Sequence, residues 1–416
     1  MPAVLMLSLA VSACGGSPAS SSAPGSAKPA ASSPPVSASS PGPSAAGSSS
    51  AAPAAAASAK QETWEMGSII DLTGPGAIGG AAQKPGIEFL VEQINKSGGV
   101  NGHKLSVKFC DTQSTPTGGA TCASQLSSVN SHVVLLQAIL PSTQGALPQL
   151  SKDVVAFSVL PVLFPKAGTQ VFQVSPMEAT VVAPMIKAVK DAQLTTIGVL
   201  YTSDASGTAQ LKAVQEAAGP AGLKVVTQPM SPTATDVTSQ LLQLKQAGAQ
   251  VLFFSSIGVA TTRSLTSYHT LGFTMPVVVG AAVVVNSFLK SLSFPIPPKL
   301  YGISTLVVGT EGLTPREVDA WAKFRKDFQD YGHQPVDTQI SSGYYVGCVA
   351  AAALKGTNGG SASAMADYAA KNSINCLGAE MRFNVPGLNV VTNQPTSISQ
   401  AGVKPADGWG PLRGKL

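Results

Sequence analysis

From residue 62 onward the apolar positions of this chain switch between two periods. Glu65 to Leu72 reads as a strand that runs into a Thr73-Gly74-Pro75-Gly76 loop. Pro85 to Lys96 has helical spacing, with Ile87, Leu90, Val91 and Ile94 on one face. Pro85 suits a first helical turn and Gly98-Gly99 a helix end. Leu105 to Phe109 predicts the next strand, Cys122 to Asn130 a helix, and Val133 to Leu136 a strand buried on both faces. After a break around Phe172 to Met177 the rhythm resumes. Strands are predicted at 196–201, 223–227, 251–255 and 277–280, and helices at 208–218, 237–246 and 261–271. Two helices around 317–330 and 343–354 follow, with few strands.

Repeated β-α-β units imply parallel sheets with helices on both faces. Two such series predict an α/β protein of two Rossmann-like lobes joined by a multi-strand hinge. The expected division is 62–174 plus 306–385 for lobe 1, and 175–305 plus 386–416 for lobe 2. A folded region of roughly 350 residues agrees, because single cores stop growing below that size. Hinge strands are expected near Phe172 to Pro176 and Tyr301 to Thr305. Ligands of doubly wound sheets sit beyond the carboxyl ends of strands. That singles out the loops 73–79, 137–144, 160–164, 202–207, 256–259 and 281–284.

The amino-terminal sixty residues have a different character. A short apolar run, Val4 to Val11, leads into Val11-Ser12-Ala13-Cys14. The pattern is similar to a lipobox, in which the Cys becomes the acylated N-terminus of the mature protein, and 1–14 is expected to be the lipoprotein signal segment. Met1-Pro2-Ala3 lacks the usual basic residue of a signal peptide. Residues 15–61 are dominated by Ser, Ala, Pro and Gly, too poor in apolar bulk to build a core. They are expected to be a disordered tether to the outer face of the cytoplasmic membrane.

The net charge of +5 is dispersed, with no basic run, which argues against nucleic acid. Cys110, Cys122, Cys348 and Cys376 are an even set in an exported chain. They suggest disulfides, with three pairings open and the two local ones favoured because each joins neighbouring elements. A zinc site lacks CxxC spacing. Walker A, HExxH and GxSxG patterns are absent, so no catalytic residues are assigned and no enzyme is expected. Gly74-Pro-Gly76-Ala-Ile-Gly79 does fit GxGxxG after a strand, with Asp111 as a ribose-binding acid. Two arguments weaken that reading. Pro85 is taken to start the helix beyond Gly79, and the acid comes later than the usual ~20 residues. The turn, Gly76, Ala77 and Ile78, is expected instead to touch a ligand, and no cofactor or metal is expected. The four His residues are expected to be structural or solvated, and Trp321, Tyr344 and Tyr345 to pack in the core.

Several stretches together resemble the branched-chain amino acid-binding proteins of ABC importers. They are Leu72-Thr73-Gly74-Pro75, Ile94-Asn95, and Gly98-Gly99-Val100-Asn101-Gly102 feeding a strand that ends Cys110-Asp111. Pro141-Ser142-Thr143-Gln144 and Ile197 to Tyr201 continue the likeness. The resemblance implies a type I periplasmic-binding-protein fold that closes on a small molecule and delivers it to a membrane permease. The chain is expected to act as a monomer. The family's carboxylate-binding loops fall on Leu140-Pro141-Ser142 and Leu160-Pro161-Val162, where only Ser142 offers a hydroxyl. Its ring-bearing positions fall on Ser206 and Ile257, and Gln339 falls near a cleft position. Its ammonium-binding acid falls on Ala282. Because an unpaired buried ammonium is costly, an apolar or weakly acidic ligand is expected rather than an ordinary α-amino acid. The alternatives are a relocated acid, Asp204 or Glu178, that restores amino-acid binding, and a sensory module on the same fold.

Overall fold

The computed structural model describes residues 62–305, 313–402 and 408–416. The Cys14 motif, residues 15–61 and residues 306–312 lie outside them.

Lobe 1 opens with β1 (Trp64–Ile70), α1 (Ala77–Lys96), β2 (Leu105–Asp111), α2 (Pro116–Leu126), β3 (Val133–Gln137), α3 (Leu140–Ala146), β4 (Val155–Ser158) and β5 (Val171–Gln173). Its five strands are all parallel, in the order β2-β1-β3-β4-β5. Lobe 2 follows with α4 (Glu178–Asp191), β6 (Thr196–Thr202), α5 (Ala205–Ala218), β7 (Lys224–Met230), α6 (Thr238–Gln246), β8 (Val251–Ser255), α7 (Gly258–Thr270), β9 (Val277–Val279), α8 (Asn286–Lys290) and β10 (Leu300–Ser304). The chain then returns to lobe 1 as α9 (Pro315–Gly332), α10 (Thr338–Thr357), α11 (Ala362–Lys371) and a hairpin of β11 (Ile374–Cys376) and β12 (Ala379–Met381). It ends in lobe 2 with β13 (Ser397–Ala401) and β14 (Trp409–Pro411).

The lobe 2 sheet runs β14-β13-β10-β9-β8-β6-β7. Its last two strands are antiparallel additions that the sequence pattern did not reveal. β3, β8, β9 and β10 are buried throughout, which explains their continuous apolar runs. Each lobe has its own apolar centre. In lobe 1, Phe157, Phe172 and Phe383 pack in sequence, with centroids 5.6 and 5.0 Å apart. In lobe 2, Phe253 and Phe254 point to opposite faces of the sheet.

The chain crosses between lobes at 174–177, after β10, and at 392–396. The last crossing lies later than the boundary at 385/386 read from the sequence. Val391 N–H donates to the Gln173 carbonyl at 3.0 Å, and Lys166 bridges Leu388, so residues 386–391 still belong to lobe 1.

Three of the helices read from the sequence start earlier than expected in ways that bear on the site, and α3, α4, α8 and α11 were not read from it. α1 begins at Ala77, so Pro85 lies inside it, where it merely lacks one hydrogen-bonding N–H. One of the two arguments against a dinucleotide turn therefore fails. α2 starts at Pro116, with Thr115 capping the Gly118 amide at 3.0 Å. α10 starts at Thr338, capped by Asp337, so Gln339 is in its first turn rather than before the helix.

α1 and α10 cross at two glycines. A Cβ at Gly86 would overlap the Ile340 carbonyl, and one at Gly343 the Gln83 carbonyl. This close approach brings Gln83 and Gln339 side by side. Cys110 pairs with Cys122 and Cys348 with Cys376, at S–S distances of 2.02 and 2.13 Å. These four thiols are thus engaged, so none of them is free to ligate zinc.

Non-reducing peptide mapping is expected to recover these two linkages. Gly343→Ala is expected to cost about 1–3 kcal/mol in urea unfolding, because the added methyl must push two helices apart.

Candidate functional site

A cavity of about 130 Å³ lies between the lobes, at the carboxyl ends of both sheets. Lobe 1 supplies the turn before α1, the β3–α3 connection, the loop after β4, and the first turn of α10. Lobe 2 supplies the starts of α4, α5 and α7 and the turn after β9.

Of the residues singled out from the sequence, Gly76, Leu140, Leu160, Pro161, Val162, Ser206, Ile257, Ala282 and Gln339 lie on its wall. Ala77, Ile78, Pro141 and Ser142 do not. Ile78 instead packs against the lobe 2 core. Ser142 is fully buried behind the wall, its hydroxyl 3.3 Å from Asp71 Oδ1, so it cannot donate to a ligand as expected.

The physical reason for this displacement is Asp71, which follows β1 and is 1% exposed. Its carboxylate accepts from the Ile139 amide at 2.7 Å, from the Thr112 hydroxyl and from Ser142. Burial raises its pKa, and the bonds from Thr112, Ile139 and Ser142 oppose the rise. An internal anion therefore occupies the amide at the start of α3. Pro141, in the first turn, has no amide to offer.

A relay of amides crosses the wall. Ser68 Oγ donates to Gln137 Oε1 at 2.8 Å, and Gln137 Nε2 to Gln83 Oε1 at 3.1 Å. Gln83 Nε2 donates to Gln339 Oε1 at 2.5 Å, and Gln339 Nε2 to the Ala281 carbonyl of lobe 2 at 3.1 Å. Asp337 ties the lobes beside it, accepting from the Gln339, Ile340 and Asn286 amides. Burial pushes Asp337 up to about 6, against those three bonds.

Glu178 opens α4 in lobe 2. Its amide donates to the Pro161 carbonyl at 3.0 Å, which sets it beside the Leu160–Val162 loop. The side chain lines the cavity, yet neither carboxylate oxygen has a hydrogen-bond partner. Burial alone pushes its pKa up to about 7. Thr338 Oγ1, also on the wall, is likewise buried without a partner. Asp204, the other acid considered, caps α5 through the Gly207 amide at 2.8 Å and is not on the wall. Among the described lining residues there is no Lys, Arg or His.

A family model described as periplasmic binding protein matches residues 63–383. The chain belongs to the periplasmic binding protein family. The Leu/Ile/Val-binding protein homolog 3 of Brucella melitensis is 44% identical over 61 residues, 15% of this binding protein and 17% of that relative. The chain thus spans about a sixth of the curated relative it matches. The fold is similar to a branched-chain amino acid transporter substrate-binding protein of Streptococcus pneumoniae in complex with isoleucine. That match has TM-score 0.70 and 17% identity, over 85% of this chain and 100% of that one. A fatty acid ABC transporter substrate-binding protein of Thermomonospora curvata matches at TM-score 0.69 and 18% identity, over 84% and 91%. A solute-binding protein of Rhodopseudomonas palustris in complex with 3,4-dihydroxybenzoic acid matches at 0.69 and 17%, over 85% and 97%.

Gln137 opens the loop 137–144 that the sequence reading singled out, whereas that reading missed Asp71, Gln83, Gln210 and Thr338 on the wall of this binding protein. Their positions depend on packing between distant segments. Two of the His residues pack on aromatic rings: His103 stacks on Trp64 and His269 on Phe294, with centroids 4.0 and 4.6 Å apart.

Glu178 binds a proton more tightly when folded than when unfolded. Its penalty is therefore absent below about pH 4.5, grows as pH rises, and is complete above about pH 7. Asp337 contributes the same sign over a lower range, up to about 6. Ligand-free protein is expected to lose stability from pH 5 to 7.5. Glu178→Gln should remove about 2–4 kcal/mol of that loss at pH 8 while matching the parent near pH 4.5, read by urea unfolding.

Proposed function

We propose that this chain is the extracytoplasmic solute-binding component of an ABC importer, anchored through Cys14, and that it closes on a compact, predominantly apolar solute lacking a carboxylate. The observation that carries this is the cavity between the lobes, with largely apolar walls, neutral amides and two acids but no base among its described lining residues. A cavity of about 130 Å³ is close to the ~150 Å³ that accepts benzene, which points to a solute of about six to ten non-hydrogen atoms.

The solute touches both lobes only in the closed form, so binding shifts the population towards closure. The closed shape is what a permease would recognise. The role we propose is binding, in keeping with a family of solute-binding proteins.

The weakly acidic ligand considered from sequence fits this wall poorly. A carboxylate would sit near Asp71 and Glu178 without a counter-charge, and buried charges need pairing. A branched-chain amino acid would meet Glu178 with its ammonium group. Its carboxylate would find the Ile139 amide already held by Asp71.

Thermal-shift screening of small neutral and basic apolar compounds tests this. A ligand at 100 times its Kd is expected to add ~2.7 kcal/mol of stability. Leucine, isoleucine and valine are expected to leave the melting temperature unchanged. Tight leucine uptake by calorimetry would overturn the ligand class, and a screen without any shift would overturn the receptor reading.

A further inference from the structure

Glu178 is not accounted for by closure or by the fold. It is 2% exposed and lies in the cavity wall with both oxygens unpartnered. A buried carboxylate in that state is destabilising, whereas the other buried acids nearby are compensated. Asp71 accepts from Ile139, Thr112 and Ser142, and Asp337 from three backbone amides. A second group on the wall, the Thr338 hydroxyl of lobe 1, is also buried without a partner. Each lobe thus contributes to the wall one residue with an unpartnered polar group, beside the apolar Leu160, Pro161, Val162, Val181 and Ile257 and the glutamines of the relay.

We propose that Glu178 is the polar anchor of the ligand, and that the ligand is a compact apolar amine bearing no carboxylate, held as an ammonium by Glu178. This rests on the receptor reading above and narrows its ligand class. An ammonium supplies the missing counter-charge and N–H donors, which a hydrocarbon or an anion does not. The branched or cyclic carbon body of the amine fills the apolar wall. A ligand carboxylate is disfavoured, because the cavity has no cation among its described lining residues.

The surroundings define the pH behaviour. Asp71, on the lobe 1 wall, is the other titratable group lining the cavity. On the elements packed against α4, Lys212 and Glu216 of α5 form an exposed pair, and Tyr301 of β10 is in the core. None of them perturbs Glu178, whose shift comes from burial alone. Free Glu178 carries its proton below about pH 7. An amine is already protonated there, so binding it expels the Glu178 proton to solvent. Affinity should then rise with pH towards 7 and level off above it. A ligand that accepts a hydrogen bond from protonated Glu178 would give the opposite slope.

The test uses four probes of matched skeleton: 3-methylbutylamine, 3-methylbutan-1-ol, 4-methylpentanoate and leucine. Calorimetry on the folded protein is expected to show the amine binding at least ~10-fold more tightly than the other three, at 1.36 kcal/mol per tenfold step. Its affinity should climb by up to ~10-fold per pH unit between pH 5 and 6.5, with proton release seen as buffer-dependent heat. Glu178→Gln should lose ~10-fold or more in amine affinity and lose the pH slope. Should that variant misfold, the slope and proton release of the parent protein decide alone. Stronger binding of the alcohol, the acid or leucine overturns the proposal, as does amine binding that is indifferent to pH. If no probe binds, the amine assignment falls, whereas the receptor reading falls only if the wider screen also yields no ligand.

Discussion

A carboxylate removed from water must be given hydrogen bonds or an opposite charge, and the site is organised by how three acids meet that demand. Asp71 meets it inside lobe 1. By drawing in the Ile139 amide, the Thr112 hydroxyl and Ser142, it fixes the end of β1 against the starts of α2 and α3. Asp337 meets it at the junction of the lobes, capping α10 while also receiving the Asn286 amide of lobe 2. Glu178 alone is left without donors. The first two build the cavity, and the third leaves it chemically open.

The amide relay extends this construction from one lobe to the other. Each of its three glutamines accepts one bond and donates one, so the relay has a direction, from Ser68 in β1 to the Ala281 carbonyl beyond β9. The last bond exists only while the lobes are together. The relay depends in turn on the α1–α10 crossing, where Gly86 and Gly343 allow backbone contact. At the mouth of the cleft, Gly258, with φ of 53°, lies against the Pro75 carbonyl of lobe 1, where a Cβ would not fit. Closure is therefore a matter of backbone fit as well as of ligand contact, and interfaces of this kind favour discrete open and closed states over a continuum.

The two-lobed plan was legible because strands covered on both faces leave unbroken apolar runs such as Val251–Ser255. The antiparallel strands β13 and β14 were not, because Ser397–Ala401 is polar and only half buried, and pairs with a strand nearly a hundred residues away. Pro85 misled the placement of α1: a proline suits a first turn, yet it also sits inside a helix held by tertiary packing. Leu160, Pro161, Val162, Ser206 and Ile257 follow strands directly, so the strand-end rule was enough to bring them to the wall. Gln83 lies mid-helix, and nothing local distinguishes it from a solvated glutamine. Ser142 carried the right chemistry at the right loop, but Asp71, at the end of the neighbouring strand β1, had already claimed it.

Selectivity is a difference of affinities, and exclusion can supply as much of it as attraction. Ala282, the position where the family resemblance leads one to expect an acid, would on its own suggest a cavity that simply ignores charge. Asp71 and Glu178 change that conclusion. Asp71 places a negative charge where a ligand carboxylate would need donors, which repels anions even though Asp71 itself need never touch the ligand. Glu178 faces the same cavity from the other lobe with its own charge uncompensated. On the ligand class proposed above, the cavity discriminates by the sign of charge before it discriminates by shape, and the apolar wall then limits which bodies can accompany the favoured group.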